Sequence, residues 1–219
     1  MPPELASLQA AARQLGCPLP DDRAAALLRY LALLERWNRV YNLTAIRDLD
    51  RMGTLHLLDS LAVVPLLDRQ AAAEAGGRTL QVLDVGSGGG LPGAVIAIAR
   101  PDWRVTCVDA VAKKARFLQQ VALEVPAPNL RAVHARVEQL EPPAGANVVI
   151  SRAFASLPDF TAWSRRQLAP AGVWLAMKGR VPQEEIDALP PEVEVFHVEQ
   201  LTVPGLDAQR CAVWMRPRH

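Results

Sequence analysis

The chain has 219 residues, half of them hydrophobic, with 24 basic and 23 acidic side chains giving a formal net charge of +1. That length favours one main domain with room for an appendage, and the apolar content supports a core without disulfides or metals. The balanced charge excludes a protein that holds polyanions by bulk electrostatics, so any basic surface must be local.

Cys17, Cys107 and Cys211 form an odd, widely spaced set, and His56, His134, His197 and His219 lie far apart. Reduced thiols and no metal site are expected. The opening Met-Pro-Pro-Glu lacks the basic segment and apolar run of a secretory signal, and no apolar stretch is long enough to cross a bilayer. A cytoplasmic protein is expected.

The first third reads helical. Asp21 and Asp22 are candidate N-caps, after which Leu27, Tyr30, Leu31, Leu34, Trp37 and Tyr41 recur at helical spacing, with Arg29, Arg36 and Arg39 on the other side. A second helix is expected over Met52 to Leu67, and the Ala/Gly-rich stretch Asp68 to Arg78 reads as a linker. From Thr79 strands and helices alternate. Strands are expected at 79–85, 103–109, 130–134, 147–151 and 172–177, with a final pair at 192–201 and 210–215. Helices are expected at 94–99, 112–125, 159–168 and 183–189. Strands apolar on both faces, separated by helices, predict a mainly parallel, doubly wound α/β sheet. The division is a helical extension over 1–70 and a sheet domain over 79–219.

The most informative stretch runs from Leu83 through Asp84, Gly86, Gly88, Gly90 and Leu91 to Gly93, where the first strand passes into the first helix. Ligands of open α/β sheets bind at that edge. Gly88, Gly90 and Gly93 satisfy the dinucleotide pattern, which alone is weak. The other register sets the Asp84 carboxylate just before the glycines, where it would repel a pyrophosphate and attract the ammonium and sulfonium of S-adenosylmethionine. The sign of the charge favours the methyl donor. Asp109, ending the second strand, reads equally as an acceptor for ribose hydroxyls or as the cap of the next helix.

The fourth strand ends Ile150-Ser151-Arg152-Ala153-Phe154, without the Asn/Asp-Pro-Pro-aromatic motif of amine methylation, and no cysteine falls in a loop beside Gly86. A target such as guanine N7, which has a free lone pair and no proton to remove, needs alignment rather than a base. Arg152 then holds cofactor or base, and Phe154 is either core or a stacking platform.

With these residues in view, the chain resembles the bacterial ribosomal RNA small subunit methyltransferase G family, also called glucose-inhibited division protein B. The resemblance rests on Trp37 to Thr44, His56-Leu57-Leu58-Asp59-Ser60, the Asp84 to Gly93 loop, Ser151 to Leu157 and Met177-Lys178-Gly179. It implies a Rossmann-like class I methyltransferase fold and transfer from S-adenosylmethionine to N7 of one guanine in 16S rRNA. It also implies cofactor contacts from Gly86, Leu91, Val137, Glu138 and Arg152, RNA contacts from Arg136, Lys178 and Arg210, and Arg152 and Arg136 nearest the chemistry. The expected partner is the small ribosomal subunit or an assembly intermediate, met by a monomer. Leu55 stands where the family commonly carries an arginine, and Ala110 where serine is frequent. His56 and Asp59, one helical turn apart, fit either a structural link or an active-site role. Alternatives are a small-molecule methyltransferase with a helical lid, a non-catalytic assembly protein that keeps the pocket, and, weakest, a nicotinamide-dependent dehydrogenase.

Overall fold

A computed structural model describes residues 4–73, 79–141 and 144–218. The chain begins with α1 (Leu5–Gln14) and α2 (Asp21–Tyr41), then α3 (Leu49–Met52), a π-helical turn (Gly53–Leu58), α4 (Asp59–Leu61) and α5 (Val64–Ala73). The sheet follows: β1 (Gln81–Val85), α6 (Gly93–Ala99), β2 (Arg104–Asp109), α7 (Ala112–Glu124), β3 (Leu130–His134) and β4 (Ala146–Arg152). Then come α8 (Leu157–Ser164), β5 (Leu168–Lys178), α9 (Gln183–Asp187), β6 (Val193–Leu201) and β7 (Arg210–Pro217).

The strands form one sheet in the order β3-β2-β1-β4-β5-β7-β6. All neighbours up to β5 pair parallel, and β7 inserts antiparallel between β5 and β6. The order reverses between β1 and β4, which leaves a crevice at their carboxyl ends. This is the mainly parallel, doubly wound sheet that alternating apolar strands and helices predict, and the terminal hairpin lies where expected.

Successive side chains of a strand point to opposite faces. Val82 therefore joins the core on the α6 side, with Val105, Cys107, Val148 and Ile150, while Leu83 and Val85 join the other core with Val108, Val149 and Trp174. Helix α6, Gly-Ala-Val-Ile-Ala-Ile-Ala, is buried at every residue. A helix apolar all round needs cover on all sides. The sheet supplies one side, and α2 and α4 pack on α6 from the other, so the N-terminal helices share a single core with the sheet.

Four local expectations need correction. Asp21 and Asp22 occupy the first turn of α2 behind Pro20, favourable to the helix dipole without capping it. The expected helix over 52–67 is broken into α3, the π-turn, α4 and α5, and the π-turn starts at Gly53. The supposed linker is helical as far as Ala73, because Ala71–Ala73 propagate the helix and Asp68 is tied to Arg100 at 2.6 and 2.8 Å. Residues 74–78 lie outside the described residues. Helix α8 ends at Ser164 rather than 168, starting from Ser156, whose hydroxyl accepts the Asp159 N–H. Among the described residues no helix is long and apolar enough to cross a membrane, and no cluster of His, Cys, Asp or Glu fits a metal.

Candidate functional site

Two adjoining clefts open at the carboxyl ends of the central strands. The larger, about 540 Å³, is floored by Gly86, Ser87, Gly88, Gly89 and Leu91 and walled by Asp59, Arg152, Lys178 and Arg210. The smaller, about 320 Å³, is lined by Asp109, Val111, Arg136, Val137, Glu138, Phe154 and Trp163. Gly86, Lys114 and Ala153 line both, so the clefts are continuous across the end of β1.

The glycine loop is shaped by contacts on both sides. Gly86 adopts φ +66° and Gly88 φ +57°, conformations that favour glycine. A Cβ on Gly86 would lie 2.2 Å from the Phe154 ring, so the aromatic after β4 presses directly on the loop. Phe154 is itself held edge-on by Trp163 and Phe160. Gly90 faces inward, where a Cβ would meet Leu118 and Ala94 within 2.7 Å. Its expected cofactor contact is therefore corrected to a packing role.

Asp84 requires the main correction. Its phase in β1 is that of Val82, so the carboxylate points beneath the loop toward α6 and is 0% exposed. Oδ2 accepts the Gly93 N–H at 2.9 Å and lies 3.9 Å from the Cys107 thiol, while Oδ1 has no partner among the described residues. Burial pushes this carboxyl up to about 6, against the opposing pull of the Gly93 N–H and the Ser87 hydroxyl. Asp84 lines neither cleft. It anchors the first residue of α6, and any attraction for a cation acts through the loop rather than by contact.

Asp109 does what neither of its two sequence readings described alone. One oxygen accepts the Val111 N–H at 2.8 Å, shaping the entry to α7, and the other accepts the Gly88 N–H at 2.9 Å, tying the loop to β2. A carboxylate has about four acceptor sites, so each oxygen keeps one where the residue faces the smaller cleft. Val137, buried, and Glu138 and Arg136, exposed, line that same cleft from the turn after β3.

Arg152, Lys178 and Arg210 converge in the larger cleft, and Arg136 lies in the smaller one. Arg152 Nη1 donates to Asp59 Oδ2 at 2.8 Å and to the Leu55 carbonyl at 2.9 Å, and Arg210 Nε donates to Asp59 Oδ1 at 2.8 Å. Lys178 is paired with Glu185 at 2.8 and 3.0 Å and donates to the Ala155 carbonyl. The segment after α2 closes the top: Leu43 and Thr44 line the larger cleft. Buried Asn38 holds that segment, receiving the Thr44 N–H at 2.8 Å and donating to the Ile46 carbonyl at 3.0 Å. Thr44 Oγ1 also meets His56 Nε2 at 2.9 Å. Burial, with the nearby Arg152 charge, lowers His56 to about 4, so the ring is neutral.

The family model for rRNA small subunit methyltransferase G matches residues 23–213. Ribosomal RNA small subunit methyltransferase G of Leptothrix cholodnii is 60% identical over 218 residues, covering 100% of this chain and 98% of the relative. The protein of the same name from Paracidovorax citrulli is 58% identical, covering 97% and 90%.

This chain belongs to the rRNA small subunit methyltransferase G family.

The membership makes it a methyltransferase with S-adenosylmethionine as methyl donor. Solved structures agree in fold. The glycopeptide N-methyltransferase MtfA complexed with S-adenosylmethionine superposes with TM-score 0.54 at 14% identity, covering 69% of this chain and 93% of that one. The S-adenosylmethionine-dependent methyltransferase from Agrobacterium tumefaciens gives 0.53 at 16% identity, covering 80% and 66%. The site of this family member fits the donor: a floor of glycines open to the cleft, a carboxylate at the end of β2, and guanidinium N–H groups without partners among the described residues. What the residue-by-residue reading missed is the Asn38-braced wall and the Asp59 bridge. The Trp37–Thr44 and His56–Ser60 segments carried the resemblance but gave no sign of where their side chains point.

Proposed function

We propose that this methyltransferase acts on N7 of a guanine in 16S rRNA, within the small ribosomal subunit or an assembly intermediate, as a cytoplasmic monomer. One observation carries the proposal. Among the described residues the larger cleft holds four cations, Lys114, Arg152, Lys178 and Arg210, and a single carboxylate, Asp59, whose two oxygens are both engaged by arginines. Among the described residues no carboxylate free of an arginine lines that cleft. N7 carries a lone pair and no proton, so orientation and electrostatic matching suffice.

When bound, S-adenosylmethionine supplies an electrophilic methyl on sulfur. Gly86, Gly88 and Leu91 receive the donor against backbone, Asp109 accepts from its ribose with its remaining lone pairs, and Val137 and Glu138 border its base. Arg152 offers unpaired N–H groups to a carboxylate or to the target base. Arg136, Lys178 and Arg210 meet phosphates at the rim, which suits a near-neutral protein whose polyanion affinity must be local.

Radiolabelled methyl transfer to purified small subunits, compared with free 16S rRNA, tests the reading. N7-methylguanosine identified by mass spectrometry supports it. Label in another nucleoside, or turnover on small molecules without RNA, overturns it.

A further inference from the structure

The Arg152–Asp59–Arg210 bridge joins three distant stretches of chain. Asp59 opens α4 directly after the π-turn, Arg152 ends β4 and Arg210 begins β7. The carboxylate is 2% exposed and its two oxygens each accept one 2.8 Å hydrogen bond, from different guanidiniums. A second anchor holds each arginine: the Leu55 carbonyl for Arg152 and the Gln209 carbonyl for Arg210. Among the described residues Arg152 Nε and Nη2, and Arg210 Nη2, carry no hydrogen bond, and both arginines line the cleft.

Two guanidiniums at this spacing repel each other unless an anion lies between them. Asp59 is the single anion lining that cleft among the described residues, and its burial strengthens its hold on both. Each oxygen of Asp59 is held by a guanidinium and the residue is almost wholly buried, so the carboxylate works as the counter-ion of the two arginines. Its effect on chemistry must pass through them.

Resting on the methyl-transfer reading above, we propose that Asp59 is a positioning residue that fixes Arg152 and Arg210 as one two-pronged donor across the cleft. Arg152, beside the glycine loop, and Arg210, at the start of β7, then present their unpaired N–H groups at a set separation to the ligands between them. A neutral amide at position 59 keeps the size of the side chain but turns one acceptor into a donor facing a guanidinium. The fork loses its spacing while the glycine floor stays intact.

A double-mutant cycle on the full-length protein tests this. Asp59→Asn is expected to lower methyl transfer to small subunits at saturating donor by about 30-fold, the scale for removing one partner of a desolvated charge pair. In an Arg210→Gln background the same substitution should cost about tenfold less, because the arm it acts through is already gone. A second cycle pairs Asp59→Asn with Arg152→Gln and reads S-adenosylmethionine affinity by calorimetry without RNA. If Asp59 is merely structural, its effects add in both cycles, and additivity overturns the proposal. If wild type labels no subunit, the methyl-transfer reading fails by itself and the calorimetric cycle still decides the role of Asp59. Should the Asn variant not fold, Asp59→Glu, which keeps the charge but shifts it by one methylene, enters the same cycles with the same expected non-additivity.

Discussion

The Tyr30 hydroxyl, midway along α2, donates a 2.5 Å hydrogen bond to the carbonyl of Gly89 in the glycine loop. One turn further on, Leu34 approaches to 3.0 Å of the position a Gly89 Cβ would occupy. The N-terminal helices therefore back the glycine loop directly, and the buried hydroxyl, its acidity suppressed by desolvation, remains a donor. Tyr30→Phe leaves the Gly89 carbonyl buried and unpaired, at a cost of about 1–2 kcal/mol. The expected outcome is a fall of about 4 °C in Tm together with weaker S-adenosylmethionine binding. Calorimetry and a melt check it: an unchanged dissociation constant separates α2 from the site.

Gly86 and Gly88 both have positive φ but differ in their surroundings. At Gly86 a methyl group would enter the Phe154 ring, which packs edge-on against Trp163 and Phe160. At Gly88 the nearest atom is 3.9 Å away, so only the backbone conformation resists. Gly88→Ala should cost about 1–2 kcal/mol of stability. Gly86→Ala adds overpacking of about 1–3 kcal/mol and should displace the loop, cutting donor affinity more than tenfold below that of Gly88→Ala. Equal affinities in the two variants would contradict the Phe154 contact.

How much of this was legible in the sequence depends on the range of the interaction. The Gly86–Gly90 turn and the strand before it are local patterns, and the mainly parallel sheet follows from the alternation that contains them. The direction of Asp84 is not local. In a strand apolar on both faces the period of two fixes alternation but not its phase, so nothing in Gln-Val-Leu-Asp-Val says which face is covered by α6. Asp109 was legible as a choice between two partners, yet the Gly88 N–H, 21 residues earlier, was not among them. The Asp59 bridge spans 93 and 151 residues, and spacing rules reach only about one helical turn. The break after Met52 was hidden because Leu55, Leu58 and Leu61 keep a helical stripe through the π-turn.

Asn38 holds the wall of the larger cleft by two hydrogen bonds, one on each side of its amide. It is 3% exposed, so removing the amide leaves the Thr44 N–H and the Ile46 carbonyl without their partner. Asn38→Ala should cost about 2 kcal/mol and release Leu43 and Thr44 from the cleft. The expected kinetic signature is a raised KM for S-adenosylmethionine with a smaller change in kcat, since Leu43 and Thr44 shape the cleft and carry no group the proposed reaction uses. A variant that loses kcat alone would place Asn38 nearer the chemistry than the geometry does.

Asp84 and His56 give opposing pH dependences of stability. The Asp84 carboxyl is at about 6 in the folded protein against an ordinary 3.8, so between those values the native state keeps a proton that the unfolded chain has released. Its contribution is fully present below pH 4 and is lost as pH rises toward 6. His56 is at about 4 in the fold against 6.5. In that window the unfolded chain holds a proton that the native state lacks, so the His56 contribution grows as pH rises from 4 to 6.5. Each amounts to about 3 kcal/mol, and in wild type the two largely cancel. Asp84→Asn should uncover the histidine, giving stability that climbs from pH 4 to 6.5 and stands above wild type at pH 7.5. His56→Gln should uncover the carboxyl, giving stability that declines from pH 4 to 6. Urea unfolding at half-unit pH steps measures both curves. Parallel profiles for wild type and the two variants would mean that burial does not shift the two groups in the opposite directions given.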